Sequence, residues 1–114
     1  MPLPPIHALS LYEGDTTIFR GQFKNEKGPV DLTGALISFG AKKSFLETTP
    51  LFLKSAQIYN AALGKFAVVF TPDETDGITK GKVLPLVYDI QVILPTGVVT
   101  TVARGDLTIA PEVH

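Results

Sequence analysis

The residues whose types and spacing could do chemistry fall into a few short groups. Asp31-Leu32-Thr33-Gly34 comes near the Asp-Thr-Gly of aspartic proteases, in which two carboxylates share one proton. A leucine separates the aspartate from the threonine here, and no second copy exists to complete a dyad. The same residues suit a turn, because an aspartate accepts from the backbone N–H two residues on and a glycine takes a positive φ at no steric cost. A structural turn carried by Asp31, Thr33 and Gly34 is therefore the expectation.

Asp73-Glu74-Thr75-Asp76-Gly77 is acidic enough to suggest calcium, but an EF-hand loop needs ligands at alternate positions and a glutamate at the twelfth, where Leu84 stands. A solvated loop fits better. Arg104-Gly105-Asp106 is the tripeptide that integrins read on exposed loops. It lies between two apolar segments, which points instead to a bulge or strand switch at Gly105. His7 and His114 stand at opposite ends of the sequence, so neither a metal pair nor a catalytic base is suggested. Ser10, Ser38, Ser44 and Ser55 lack a nucleophile-elbow setting, and no phosphate-binding glycine loop occurs. The expectation is a protein without catalytic, cofactor-binding or metal-ligating residues, not an enzyme.

Composition narrows the class. A chain of 114 residues fits one domain, which at that size buries roughly two-thirds of the surface it exposes when unfolded. Ten Lys plus Arg against eleven Asp plus Glu leave a net charge of −1, and only Lys42 and Lys43 stand together, so a nucleic-acid partner is not expected. Mean hydropathy is positive, +0.25. It is spread over short runs, none near the ~18 apolar residues of a membrane span, and the chain reads as soluble, with no membrane partner. MPLPPIHALS has neither the basic start nor the continuous apolar stretch of a secretory signal. The absence of cysteine removes disulfides and thiolate chemistry without fixing a compartment.

The elements that must position these residues read as short strands. Pro2, Pro4 and Pro5 favour an extended arm over residues 1–8, ahead of a single domain over 9–114. TTIFRGQF alternates from Thr16 to Phe23, with Arg20 pointing away from the face of Phe19 and Phe23. Lys24 to Pro29 is a polar turn. Ala35, Ile37, Phe39 and Ala41 share a face, predicted to be core, opposite Leu36, Ser38, Gly40 and Lys42. A strand centred on Phe66 to Phe70 is predicted within Ala61–Pro72, then a polar crossover over 73–81 with room for one helical turn. In VLPLVYDIQVIL, Tyr88, Ile90, Val92 and Leu94 share a face, and Pro85 requires the strand to begin at an edge or bulge. PTGV turns the chain at Pro95 to Val98 into a return strand, and DLTIA closes it. Residues 50–63 could be helical, with Thr49 as cap and Pro50 in first position. Consecutive Leu51, Phe52 and Leu53 favour two extended pieces instead. Seven to nine short strands with turns every 8 to 12 residues predict an all-β antiparallel sandwich.

The ordered set of turns carries a family resemblance: Gly14-Asp15-Thr16, Gly28-Pro29-Val30-Asp31-Leu32-Thr33-Gly34-Ala35, the lysine-bearing Pro50 to Lys54, Gly64-Lys65-Phe66, Tyr88-Asp89-Ile90, and Gly105-Asp106-Leu107-Thr108-Ile109. Over residues 9 to 110 the sequence resembles the immunoglobulin-like domain of tailed-phage baseplate proteins, notably the N-terminal domain of the baseplate upper protein. The coiled-coil and receptor-binding parts of a full baseplate protein have no counterpart in this sequence. The resemblance implies an immunoglobulin-like fold and a non-enzymatic structural role in the virion, in the tail, baseplate or head decoration, made in the bacterial cytoplasm. It implies other virion proteins as partners and a homo-oligomer in multiples of three or six.

Assembly contacts are then expected at residues without a clear role inside the domain. These are Pro2, Leu3, Pro4, Pro5 and Ile6 of the arm, and Lys42, Lys43, Phe45 and Leu46 of the loop over 42–49. The alternative class is a carbohydrate-binding module that touches the host surface through weak glycan contacts. Such modules display aromatic platforms, and this chain has no tryptophan and only the isolated Tyr12, Tyr59 and Tyr88.

Overall fold

Alternation of inward and outward side chains decides where strands form along residues 8–111, the part of the chain that the structure, a computed structural model, describes. In chain order the strands are β1 (Leu9–Tyr12), β2 (Thr17–Gln22), β3 (Lys24–Asn25), β4 (Gly28–Pro29), β5 (Leu36–Lys42), β6 (Phe52–Ser55), β7 (Gln57–Asn60), β8 (Lys65–Phe70), β9 (Leu84–Ile93) and β10 (Val99–Ala110). A one-turn helix, α1 (Pro72–Thr75), follows β8. In β5, Ile37, Phe39 and Ala41 are buried and their neighbours are not, as the period of two requires. The all-β class is thus observed, and the pair β3 and β4 carries the number of strands past the seven to nine expected.

The strands form a larger sheet in the order β1-β10-β9-β5-β6, a smaller sheet β2-β8-β7, and the small hairpin β3-β4. Inward residues of the two sheets meet in one core: Phe39, Tyr88, Val92, Leu107 and Ile109 from the larger, Phe66, Val68 and Phe70 from the smaller. Phe70 is the hub of this contact. Its ring receives Phe39, Phe52 and Phe19 edge-on, at centroid distances of 5.4, 5.5 and 6.0 Å. Phe39 stacks on Tyr88 of the neighbouring strand at 5.5 Å. Edge-on and offset contacts suit the quadrupoles of aromatic rings and add to what burial alone contributes.

The expectation of a wholly antiparallel arrangement is corrected at one edge, where β1 runs parallel to β10 with Leu9 opposite Leu107 and Tyr12 opposite Ala110. Parallel neighbours need a long crossover, and here the connection is most of the domain. A second correction concerns Gly105. It does not reset the chain; β10 is continuous, the register shift falls between Thr101 and Ala103, and Gly105 pairs with Tyr88. Gly105 is buried and stands opposite the buried Tyr88 in the ladder.

Pro85 obeys the edge rule, since the β5 ladder stops at Val87 and only β10 pairs with β9 at Pro85. Residues 50–63 resolve into the extended β6 and β7, then a 3₁₀ turn over Ala61–Leu63 that precedes β8. Asn60 caps that turn and Gly64 ends it at φ 69°, a left-handed position that favours glycine. The predicted helical turn in the 73–81 crossover is α1. The arm residues Pro2, Leu3, Pro4, Pro5 and Ile6 lie outside the described residues, as do His7 and His114.

Candidate assembly surface

Asp31, Thr33 and Gly34 form the turn that the sequence implies. Thr33 donates to Asp31 Oδ1 from its N–H at 2.9 Å and from its hydroxyl at 2.7 Å. The Ala35 N–H closes the turn on the Leu32 carbonyl at 2.9 Å, with Gly34 at φ 77°. The Thr33 hydroxyl, and after it the Thr33 N–H, hold the Asp31 carboxyl below its ordinary value of 3.8. A solvent-exposed carboxylate held as a hydrogen-bond acceptor in its charged form is a poor proton acceptor. Its neighbour Leu32 is buried in the core, so the polar interruption positions an apolar anchor.

The loop over 42–49 has a different character. The Glu47 N–H reaches the Ser44 carbonyl at 3.2 Å, which closes a turn with Phe45 and Leu46 at its two central positions. Turn centres ordinarily carry Gly, Pro, Asn, Asp or Ser. Here Leu46 is 93% exposed and Phe45 61%. Phe45 is not idle, because the Arg104 guanidinium lies 5.6 Å from its ring centroid, a cation–π contact that draws the loop toward β10. Lys42 is half-buried at the end of β5, and Lys43 lies beside Val87 and Asp106 at a shallow depression of about 260 Å³.

Pairing registers extend this surface across the outer face of the larger sheet. Leu53, Gly40, Asp89 and Arg104 form one row over β6, β5, β9 and β10. Four residues along β5, past the row of Ser38, Gln91 and Thr101, Leu36, Ile93 and Val99 form another. Leu53 is 71% exposed and Leu36 68%. The chain matches no known protein family and no curated protein.

The other sequence groups are placed as follows. Arg104-Gly105-Asp106 lies within β10, not on a loop tip. Asp73 and Glu74 lie in the first turn of α1, where Glu74 Oε1 accepts from the Thr71 N–H and hydroxyl, both at 3.1 Å. Tyr12 and Tyr59 are exposed on β1 and β7, in different sheets, and Tyr88 is buried. Among the described residues, no three acidic or histidine side chains converge as metal ligands would.

Two polar links escaped sequence reasoning. Lys54 of β6 forms an ion pair with Glu74 of α1 while its ammonium lies 5.1 Å from the Phe70 ring centroid. Glu13, after β1, accepts from the Thr79 hydroxyl at 2.8 Å and the Thr79 N–H at 3.3 Å, which ties the crossover to the first strand. Both join residues far apart in sequence. Leu36 and Leu53 carried a usable signal, for each is apolar yet alternates with a core residue.

Proposed function

We propose that the chain is a non-enzymatic immunoglobulin-like module of a tailed-phage particle, a small tail, baseplate or head-decoration component that acts by binding its neighbours. Strand order supports the immunoglobulin-like part of this reading. The smaller sheet corresponds to strands B-E-D and the run β10-β9-β5-β6 to G-F-C-C′ of a variable-type domain. The tryptophan and inter-sheet disulfide of antibody domains are replaced by the stack of Phe39 on Tyr88 and the edge contact of Phe39 with Phe70. The set of turns from Gly14 to Ile109 supports the phage part.

The observation that carries the assembly role is the turn that presents Phe45 and Leu46 to solvent beside an outer sheet face bearing Leu36, Leu53 and Val99. Exposed apolar residues set among polar ones in this way are what a neighbouring protein buries. Its mechanism is geometric: a rigid pair of sheets holds the contact residues in place, and symmetry repeats them. The test is mass spectrometry of density-purified particles of the encoding phage. A copy number that is a multiple of three or six supports the reading, and absence from clean particles overturns it.

A further inference from the structure

A groove of about 370 Å³ opens between the two sheets, floored by Phe19, Phe66, Ile90 and Val102. Both of its banks are unpaired strand edges. On one side β2 ends the smaller sheet. On the other, β1 pairs only with Leu107–Ala110 of β10, so among the described residues Val99 to Asp106 have no neighbour on that edge. An apolar floor between two open edges is an incomplete piece of core, and it exposes backbone groups able to accept another strand.

Ala8 and Leu9 themselves line this groove. The seven residues ahead of Ala8, MPLPPIH, therefore start at its mouth. Extended, seven residues reach about 23 Å, at ~3.3 Å each. This nearly matches the eight free residues of β10 from Val99 to Asp106, and β1 already points the chain along that edge. Leu3 and Ile6 stand three apart, so in the polyproline-like form that Pro2, Pro4 and Pro5 favour they share a face and supply apolar side chains to the floor. In a regular strand one of the adjacent Pro4 and Pro5 would face the β10 ladder without a donor, whereas a polyproline-like segment laid along the edge makes no ladder and loses no bond. A small-molecule ligand fits less well, since a ligand pocket brings polar groups together over an apolar floor, and only Arg20 and Gln22 are polar here apart from the buried Tyr88.

We propose that residues 2–6 of the same chain lie in this groove as an edge segment and complete the core between β2 and β10. This stands independently of any role in a particle. It gives the proline arm a place inside its own domain, and leaves the Phe45 and Leu46 turn as the surface free for neighbours.

The chain has no cysteine, so Pro2→Cys takes a single nitroxide label. Labelled, nitrogen-15-enriched protein diluted tenfold into unlabelled protein should lose more than half the amide signal of Phe19, Gly21, Val102 and Ala103, with little change at Leu84, which pairs with Ile109 at the other end of β10. No selective loss overturns the proposal. Loss that appears only when the nitroxide and the isotope are on different chains overturns it too, and assigns the groove to a second copy. As a label-free check, Leu3→Asp with Ile6→Asp should speed hydrogen exchange of the β2 and β10 edge amides at least tenfold. Unchanged exchange rates would rule out the seat.

Discussion

The ring of Phe70 meets the ring of Phe39 edge-on, at 5.4 Å between centroids and 84° between planes, and this contact joins the two sheets at the centre of the core. Both rings are fully buried. Phe70→Ala is expected to destabilise the domain by about 3–5 kcal/mol, through lost burial and the cavity left behind. Phe70→Leu keeps most of the apolar area and loses the edge contacts, for roughly 1–2 kcal/mol. Urea unfolding of the two variants checks the order. A Phe70→Leu loss near zero would show that the ring geometry adds nothing to area.

Lys54 and Glu74 predict a pH dependence. Burial pushes the Glu74 carboxyl up, but the Lys54 ammonium and the Thr71 N–H and hydroxyl together outweigh it and hold the group below its ordinary 4.5. A depressed carboxyl favours the folded state when ionised, so its contribution is present above pH 4.5 and is lost as pH falls below that value. Lys54→Met keeps the stem over the Phe70 ring and removes the charge. The variant should show a shallower loss of stability between pH 5 and pH 3 than the parent, measured by thermal melts across that range.

At the Asp31 turn, carboxyl titration followed by carbon-13 chemical shift should place Asp31 below its ordinary 3.8. Thr33→Val removes the hydroxyl, the larger of the two causes, and should move the titration back toward that value. Asp31→Asn should retain the turn, because its side-chain oxygen still accepts from the Thr33 N–H.

Gly64 is held by contact as well as by dihedral angle. A Cβ there would stand 2.5 Å from the Phe23 carbonyl oxygen and 2.8 Å from that of Val30. These are backbone atoms and cannot swing aside. Gly64→Ala should cost roughly 2–4 kcal/mol, whereas Gly81→Ala, with nothing within 4 Å of its Cβ, bears only the strain of a positive φ, about 1 kcal/mol. Comparison of denaturation midpoints separates steric from conformational cost.

If the Phe45 and Leu46 turn is the assembly surface, Phe45→Ser with Leu46→Asp should cost the isolated protein only the Phe45–Arg104 contact, about 0.5–1 kcal/mol. Incorporation into particles should fall at least tenfold in a complementation assay. Normal incorporation would place the contacts elsewhere.

How far the sequence could be read differs by element. The core face of β5 and the Asp31 turn were legible because their signals are local: alternation in one case, an aspartate two residues before its donor in the other. The parallel pairing of β1 with β10 was not, since it joins residues about a hundred positions apart and no local propensity records it. Gly105 was misread because glycine often marks a bulge, and only the ladder reveals that the register shifts between Thr101 and Ala103 instead. Lys54 carried no local sign of a partner. Its role depends on Phe70 and Glu74, which another strand and a helical turn bring to it. On the surface, the loop at Lys42, Lys43, Phe45 and Leu46 was found by elimination, and the sheet face beside it emerged only once the register aligned Leu36 with Ile93 and Val99.

The parallel ladder of β1 with β10 also sets the response of the domain to mechanical load. Tension applied through the residues before Leu9 and after Ala110 pulls the two strands along their length in opposite directions. The load then falls on the bonds between Leu9–Tyr12 and Leu107–Ala110 side by side, in shear, and not one after another as in a peeled hairpin. Sharing force in this way raises the tension needed to start unfolding above that of a zipper built from the same number of bonds. A module tied in this way can transmit a pull between neighbours without opening its core.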